Sequence, residues 1–565
     1  MKKHTLLLLA LSFCAFKIQS QNLLLDRAQH FDLAERLQVM YPSDKASSSA
    51  LKMSSATSVI DQGFENYRTL SKGDRLKFKD LVNQYNFPKE ITDPLDTLYR
   101  WQKPLLKYFY ESPHHFLSID VPSFNLRANP IVMVEGGNVT NYKPTIFQNT
   151  RGAEIYGYID NKVYFFSRVL ENQQQFLPWA QDYIYAYQSI PQQGFYKSYN
   201  SSVLGGLHGY DFLNAQAYVG LPISKSIAIE LGHGRHFIGN GIRSLLLSDF
   251  SNNYFYLKFN TRVWKLHYQN IFAELNTTSA NQFQGDLLLN KKYMASHYLS
   301  FRPRKNFEVG VFESVIFARQ NQFEFQYLNP VIFYRMVEQF LGSPDNAMIG
   351  LNVTWDVKKR MRVYGQLLLD ELNFGFLKQD GWWGNKHGIQ AGFKYFNLLG
   401  VDRLDLTAEY NMVRPYTYSH DREEQGIVLT SYTHYNSPLA HPLGSNLREV
   451  LVRSVYSGLK NWHFEADLAY LQQGRNYNGN EGSNPRINNI KRIKDYDNNL
   501  LQGAKRNIQF IRATTYYKIW PNYQLFLQGI YRKSTDYYKH VTLKESYFYI
   551  GGGISINAAT DKNIF

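Results

Sequence analysis

The feature that most constrains this chain is an alternation of apolar and polar residues that starts near Phe116 and continues towards the C-terminus. Along residues 403–412, the even positions hold Leu, Ala, Tyr or Met, and the odd positions hold Arg, Asp, Thr, Glu or Asn. Successive side chains of a β-strand point to opposite faces of a sheet, so this period of two predicts strands with one apolar and one polar face. A soluble sandwich also has such strands, so the alternation alone does not fix the fold class.

The number and length of the alternating segments narrow the choice of fold. We count about 18 segments of about 9–13 residues, the length that a tilted strand needs to cross a bilayer. The predicted strand centres lie near Val132, Ile155, Phe166, Ala215, Ile229, Tyr256, Tyr268, Tyr298, Val311, Leu351, Gln366, Ala391, Thr407, Arg453, Ala466, Arg512, Phe526 and Ile550.

The connections between these segments alternate between short and long. Asp160-Asn161, Lys358–Arg360 and Trp520-Pro521 are short, whereas residues 173–207 and 413–446 form long connections. An outer-membrane barrel has tight periplasmic turns and longer outer loops, whereas a sandwich has no reason to sort its connections by parity. The sequence therefore predicts an all-β protein, an antiparallel transmembrane β-barrel of about 18 strands over residues 116–565.

Composition agrees with a barrel and excludes two other classes of protein. Hydrophobic residues make up 44% of the 565 residues, too large a share for an ordinary disordered chain. Beyond the N-terminus the sequence has no apolar run of about 20 residues, which a helical membrane protein would carry. Aromatic residues reach 16%, which favours half-apolar strands with rings of Tyr, Phe and Trp at two membrane interfaces.

The first 20 residues are predicted to be a signal peptide. Lys2 and Lys3 precede an apolar stretch, Leu6–Phe16, that is too short for a membrane anchor, and Ser20 supplies a small residue before the expected cleavage site. The one cysteine, Cys14, lies inside this segment. The mature chain is therefore expected to have no disulfide and no thiolate metal site.

The charge of the exported chain points to acidic partners. The net charge is +15, or about +12 without the signal peptide. On an exported protein, positive charge favours acidic glycans or the anionic headgroups of the outer-membrane bilayer over nucleic acid.

Residues 21–115 are predicted to form a small helical segment at the periplasmic mouth of the barrel. Asp32 to Glu35 has the spacing of a capping box, which predicts a helix that begins at Asp32 and ends before Pro42. Phe78, Leu81, Val82 and Tyr85 share one helical face. Asp93-Pro94 is predicted to open a further helix. These elements are too few for a large core of their own, so we expect them to plug the barrel.

The sequence carries no known catalytic motif, and we expect a protein without enzymatic activity, cofactor or metal. His233 and His236 have a spacing that metal sites use, but they lie beside a glycine turn without a nearby acid. His434, Asn436 and Ser437 are the parts of a serine-dependent lipase, but three polar residues in one loop are common.

Two clusters in predicted outer loops are candidate glycan-binding sites. Trp382 and Trp383, flanked by glycines, offer flat faces on which sugar rings stack; an interfacial girdle pair is the alternative. Arg235, His236 and Arg243 form a basic cluster suited to an acidic sugar. The alternative is a lumen-facing network in which these cations pair with Asp370 or Glu371.

Five longer segments resemble the Wzi capsule-assembly family. They are Gly232–Ser248 (GHGRHFIGNGIRSLLLS), Leu328–Tyr334 running into Gly342–Ala347, Tyr364–Glu371 (YGQLLLDE), Val413–His420 (VRPYTYSH) and Tyr432–Gly444 (YTHYNSPLAHPLG).

The last two segments resemble the Bacteroidota branch of that family, which includes the gliding-motility proteins called RemB. Within these two segments we take Tyr416, His434, Tyr435 and His441 as further candidate glycan-binding residues. The resemblance covers roughly residues 116–565.

The resemblance implies an 18-stranded outer-membrane barrel, with a helical bundle at its periplasmic end, that holds or organises exported polysaccharide without catalysis. Two alternatives from other functional classes stay open. The outer loops would bind a protein of the gliding or type IX secretion machinery, or the lumen would form a diffusion channel whose charges set selectivity. We therefore expect the protein in the cell outer membrane, with surface polysaccharide as its leading partner.

Overall fold

The computed structural model describes most of the chain after residue 27. The predicted signal peptide and the predicted helix at Asp93-Pro94 lie outside the described residues. The described residues are 28–43, 47–52, 56–85, 114–201, 206–279, 281, 288–331, 333–342, 345–371, 375, 381–424 and 426–558.

Eighteen antiparallel strands form the wall of the molecule, which confirms the predicted fold class. Each predicted strand centre lies inside one of them. In chain order the strands are β1 (Phe124–Val139), β2 (Ile146–Ile159), β3 (Val163–Gln175), β4 (Leu207–Pro222), β5 (Ile227–Gly234), β6 (Tyr254–Val263), β7 (Leu266–Asn276), β8 (Lys291–Arg304), β9 (Phe307–Phe317), β10 (Asn346–Val357), β11 (Met361–Asp370), β12 (His387–Tyr395), β13 (Leu404–Val413), β14 (Leu447–Tyr456), β15 (Trp462–Arg475), β16 (Ala504–Trp520), β17 (Tyr523–Tyr537) and β18 (Thr542–Ile556).

The sheet closes on itself, because β18 pairs with β1 from Val132↔Ile556 to Val139↔Tyr549. Closure gives both of these strands a partner on each side, as a barrel in a membrane requires. Two short strands, Leu117–Val121 and Lys197–Ser201, extend the sheet along β1 and β4.

Side chains alternate between the lumen and the outer wall along the strands. On β8 and β9, Tyr298 and Phe312 are fully buried in the lumen, whereas their neighbours Leu299 and Val311 are 40% and 43% exposed. The alternation in the sequence therefore reports which side chains face lipid.

The two ends of the barrel differ in their connections, as predicted. The turns after β2, β4, β6, β8, β10, β12, β14 and β16 have two to eight residues and lie at one end, the short-turn end. At the other end, the long-loop end, seven connections have 14 to 33 residues.

Three helices of the N-terminal segment, α1 (Ala28–Met40), α2 (Ala56–Glu65) and α3 (Lys72–Tyr85), pack together at the short-turn end. The predicted face of α3 is buried among them and against lumen-facing tyrosines of β2 and β3. The capping-box prediction is wrong: α1 starts at Ala28, so Asp32 lies inside the helix. Burial of Leu33, Ala34 and Leu37 explains why the helix spans this region without a cap at Asp32.

The lumen above these helices is filled from the long-loop end. The loop after β5, residues 235–253, folds inward and buries Leu245, Leu246 and Leu247 against lumen-facing side chains of β6 to β11. The N-terminal segment meets this loop, because Leu51 and Ile238 form a β-bridge and the Gly239 N–H donates to the Ala50 carbonyl at 2.7 Å. Two further helices lie in other long loops: α4 (Pro178–Tyr187) and α5 (Tyr334–Phe340).

Candidate functional site

Loops cover the long-loop end, and buried polar side chains join them. Asn446 is fully buried, and its amide nitrogen donates to the carbonyls of Gly474 and Gln502, each at 2.9 Å. Its amide oxygen accepts the Leu501 N–H at 2.7 Å. One side chain thus joins the loops after β13 and β15. The described part of the loop after β11 is bonded to them, because the Trp383 N–H donates to the Asp495 carbonyl. These three loops are called the loop cover, and they carry several of the candidate residues.

The Trp382-Trp383 pair lies on this cover and is half-buried. Their ring centroids are 5.8 Å apart, and Trp383 stands edge-on to Tyr416 at 6.4 Å. The Arg492 guanidinium lies 4.2 Å from the Trp383 ring centre and the Lys386 ammonium lies 5.8 Å from it. The loops therefore bring a tryptophan pair next to two cations.

Tyr416 supports this arrangement from below. It is 1% exposed, with a positive φ of 65°, and its hydroxyl donates to the Asn480 carbonyl at 2.9 Å. Burial raises the pKa of the Tyr416 hydroxyl to about 12, so it stays a hydrogen-bond donor at neutral pH. Its contacts hold the loop after β13 to the loop after β15.

Arg243 forms a network in the lumen, but with different partners from those predicted. Its guanidinium donates to Glu449 at 3.1 and 3.3 Å, and its backbone N–H donates to Glu409 at 3.0 Å. The predicted pairing with Asp370 or Glu371 is wrong, because both of these carboxylates lie beside Lys386. The inward fold of residues 235–253 carries Arg243 to β13 and β14 instead.

The other two members of the basic cluster point to different surroundings. His236 is 3% exposed and its Nδ1 lies 3.1 Å from the Tyr254 hydroxyl. Burial lowers the pKa of His236 well below its usual value, so the ring is neutral at pH 7. Arg235 is half-buried, and its guanidinium reaches the Gln192 carbonyl at 3.4 Å.

The candidates in residues 432–444 belong to the loop after β13, and two of the three are buried. Nδ1 of His434 accepts the Asn276 N–H at 3.0 Å and its Nε2 donates to the Asn253 carbonyl at 3.1 Å. Burial lowers the pKa of His434 to about 3, so this histidine is neutral and fully engaged. His441 is fully buried and donates from Nε2 to Glu449 at 3.0 Å. Tyr435 is half-buried, and its ring stands 4.6 Å from that of His434.

A cavity of about 380 Å³ lies inside the barrel. It lies between α1, the inward loop and the strands β12 to β15. Its charged lining residues are mostly cations: Lys52, Arg168, Arg235, Arg243, Lys394, Arg403 and Arg453 against Asp32, Glu35, Asp249 and Asp405.

Lys52 stands out on the wall of this cavity. Its ammonium lies 3.4 Å from the centre of the Phe237 ring and donates to the Gly241 carbonyl at 2.8 Å. Burial lowers the pKa of Lys52 to about 8, although Asp249 opposes this shift. The lysine therefore ties the N-terminal segment to the inward loop, and its charge is sensitive to mildly alkaline pH.

Sequence reasoning missed Arg492, Lys386 and Lys52. Each is a single basic residue in a loop or linker, and no local pattern distinguishes it from other surface cations. Only the fold brings Arg492 and Lys386 to the tryptophan pair and Lys52 to the inward loop.

Two features are absent from the described part of the chain. No group of three or more His, Cys, Asp or Glu side chains there is arranged to hold a metal ion. No helix in the same residues has the length and apolar character to cross a membrane.

Comparison with solved structures finds other barrels. Wzi, an outer membrane protein involved in group 1 capsule assembly in Escherichia coli and a carbohydrate-binding β-barrel, is 12% identical, with 95% of this chain and 100% of that chain covered at a TM-score of 0.54. OpdK with vanillate, from Pseudomonas aeruginosa, is 9% identical, with 76% and 98% covered at a TM-score of 0.42. At 12% identity, the likeness to Wzi shows a shared fold. No curated protein matches the chain in sequence.

A family model supplies evidence that is independent of the fold. The model described as capsule assembly protein Wzi matches residues 166–549, which is more than half of the chain. The match spans β4 to β17 in full, together with the inward loop and the loop that carries the tryptophan pair. The chain belongs to the Wzi family of capsule assembly proteins and is an integral β-barrel of the outer membrane.

Proposed function

We propose that this protein holds or organises exported polysaccharide at the cell surface and does so without catalysis. The observation that carries the proposal is the half-buried Trp382-Trp383 pair on the loop cover, with Arg492 and Lys386 beside Trp383. The E. coli relative is described as carbohydrate-binding, which supports the same role here.

The chemistry of this surface suits an acidic glycan. Flat aromatic faces stack on the apolar faces of sugar rings, and tryptophan has the largest such face. Arg492 lies against the Trp383 ring and is partly exposed, so it can attract a carboxylate or phosphate on a neighbouring sugar in exchange for its exposed partner Asp495. Lys386 is fully buried and pairs with Glu371, so it holds the loop under Trp383 in place. Of the predicted candidates, Trp382 and Trp383 are the contact residues; Tyr416, His434 and His441 support the loops from within.

The histidines that suggested an enzyme support a structural role instead. Both ring nitrogens of His434 are engaged by backbone groups of other loops. The neutral ring has no free nitrogen with which to take a proton from Ser437. A binding protein therefore fits these loops better than a lipase does.

The N-terminal segment supports a closed barrel rather than a diffusion channel. We propose that residues 21–115 act as a periplasmic plug after removal of residues 1–20, and that residues 116–565 form the barrel. In outer-membrane barrels the short turns face the periplasm, which is the end where α1, α2 and α3 pack into the lumen.

A deletion strain complemented with variants tests the glycan role. Replacing Trp382 and Trp383 together by Ala is expected to release surface polysaccharide into the medium, whereas Trp264→Ala is the matched control. Trp264 is 76% exposed at the short-turn end, far from the loop cover. Cell-bound and released polysaccharide are measured by immunoblot, with heat-modifiable gel migration as the check on folding.

Three results would each contradict one part of this proposal. Full retention of capsule together with lost motility in the deletion strain would contradict the glycan role and favour a gliding or secretion partner. Single-channel current through the intact protein in a planar bilayer would contradict the plug. Capsule retention unchanged by the double Trp variant would assign that pair to the membrane interface.

A further inference from the structure

The described part of the loop after β9, residues 318–331, 333–342 and 345, runs along the outside of the barrel. Tyr327, Tyr334 and Val337 of this loop are buried. They pack against side chains of β7, β8 and β9 that point away from the lumen, namely Phe272, Tyr293, Ala295, Val315 and Phe317. The loop therefore covers part of the wall that would otherwise face lipid.

The wall under this loop carries a polar group that is unusual for such a face. Asn270, His297 and Glu313 are direct cross-strand neighbours on β7, β8 and β9. They share the outward face with Leu299 and Val311, yet all three are less than 9% exposed. The His297 Nε2 and a Glu313 oxygen are 2.9 Å apart.

This polar group lies well inside the membrane-facing band. His297 is four residues from Phe301, the last β8 residue that pairs with β7 at the short-turn end. At a rise of about 3.3 Å per residue and a tilt of about 40°, it stands about 10 Å above that end of the wall. An ionisable pair at such a depth is costly against hydrocarbon unless protein covers it.

The loop supplies that cover through specific contacts. The Pro330 carbonyl accepts hydrogen bonds from the Tyr268 hydroxyl and, at 3.2 Å, from the Asn270 amide. The Tyr334 ring stacks on His297 with centroids 4.5 Å apart, and the Arg335 N–H donates to Glu313 at 2.8 Å.

The opposite side of the same segment is exposed and mostly apolar. Because it continues the outer wall of the barrel, its surroundings are those of the wall, where acyl chains lie. The most exposed apolar side chains are Phe325 at 76%, Val331 at 82%, Phe333 at 61%, Met336 at 54% and Phe340 at 82%. The exposed polar residues are Gln326, Asn329, Gln339 and Arg335, and the Arg335 charge is paired with Glu338 at 2.6 Å.

We propose that residues 325–331 and 333–340 form a membrane-inserted flap: it docks on the Asn270-His297-Glu313 group and presents its phenylalanines to the acyl chains of the bilayer. The inner face of the flap supplies hydrogen-bond partners to the buried polar group. The outer face of the flap presents apolar side chains to lipid where the covered strands would otherwise meet it. The flap takes no part in the glycan contacts proposed above, so either proposal can fail without the other.

Depth-dependent quenching tests the proposal on the full-length protein in liposomes. With Cys14→Ser, a single introduced cysteine is the only thiol, because the sequence has one cysteine. An NBD label is placed at Phe333→Cys or Phe340→Cys. Leu299→Cys on the lipid-facing wall and Lys491→Cys in a long loop are the matched controls.

We expect doxyl-labelled phospholipid to quench the flap labels as strongly as the label at position 299, and iodide to leave them unquenched. Quenching by iodide, as expected at position 491, would overturn the proposal. So would protection from both quenchers together with cross-linking to a second copy or another protein, because the flap would then be a protein interface.

A second variant tests the docking site itself. Glu313→Ala is expected to raise the mobility of the label at position 333, seen as lower fluorescence anisotropy. Glu423→Ala, which removes an exposed ion pair with Lys491, is the control and should leave it unchanged. Unchanged anisotropy in a folded Glu313→Ala protein would show that the polar group does not hold the flap.

Discussion

At the short-turn end the helices meet the barrel through charged side chains, whereas at the long-loop end the loops meet one another largely through amides, hydroxyls and carbonyls. Arg36 on α1 donates to Asp74 at 2.9 Å and to Asp405 at 2.6 Å, and Lys518 donates to Asp80 at 2.9 Å. Asn446 makes the corresponding joint between the loops with no charged partner.

The difference implies different responses to the same solution conditions. A buried ion pair depends on the protonation of both partners, and losing one partner leaves an uncompensated charge. An amide that bonds to backbone does not titrate. The ion pairs that hold the plug are therefore contacts that acid opens, whereas the Asn446 joint in the loop cover is a contact that acid leaves in place.

The largest expected effect comes from Arg36→Met. Both Arg36 and Asp74 are fully buried, so the variant leaves the Asp74 carboxylate without its bidentate partner, with Arg403 at 2.6 Å as its remaining cation. Breaking a buried pair outright costs about 3–5 kcal/mol, which sets the upper bound here. We expect α1 to α3 to become trypsin-sensitive while the barrel keeps its heat-modifiable migration. The exposed Arg68→Met is the control, and equal sensitivity in both variants would contradict the comparison.

A smaller effect is expected at the other end from Asn446→Gly. Asn446 has a positive φ of 58°, which glycine adopts freely, so the substitution removes the side-chain hydrogen bonds without adding strain. Leaving the buried backbone groups unpaired costs about 1–3 kcal/mol. Limited proteolysis should cut within residues 476–503 but leave α1 to α3 intact. The exposed Asn478→Gly is the control.

A fall in pH should distinguish the ends in one experiment. Burial raises the pKa of Asp80, but Lys518 and His114 lower it more, so its pKa lies well below the ordinary value. A carboxyl with a depressed pKa contributes stability that is present above its unfolded pKa of about 3.9 and is lost as the pH falls further. Hydrogen exchange in α3 should rise below about pH 4. Earlier or equal exchange at the Leu501 N–H, which is bonded to Asn446, would contradict the comparison.

The smallest effect is expected from exposed ion pairs on the loop cover. Lys494 and Asp497 pair at 2.7 Å, but their side chains are 44% and 77% exposed. Solvent screens such pairs, and they contribute little to stability. Lys494→Gln should leave the melting temperature unchanged within error, whereas a clear fall would show that surface charge does stabilise this end.

The fold was predictable from sequence because the period of two is local and repeats in every strand. The helical face of α3 was predictable for the same reason, since Phe78 and Tyr85 recur at helical spacing and are buried. The start of α1 was not, because Asp32 lies inside a helix whose Leu33 and Leu37 are buried against α2 and α3.

The paths of the loops could not be predicted from the sequence. The pattern placed Arg243 in a loop, but only the inward fold of that loop selects Glu449 over Asp370 as its partner. In sequence, His297 and Glu313 are ordinary members of alternating strands, and their cover comes from the path of the loop that follows β9. Tertiary contacts set both paths, and no short motif encodes them.

The β-bridge between Leu51 and Ile238 gives the molecule a continuous internal strut. The hydroxyls of Tyr418 and Tyr432 in the loop cover donate to the carbonyls of Leu245 and Leu246, each at 2.9 Å. Below them the inward loop is fastened to the N-terminal segment at Ile238. A polymer that pulls on the outer loops would thus transmit tension to the plug through these contacts. The whole length of the barrel, and not its rim alone, would then resist the pull.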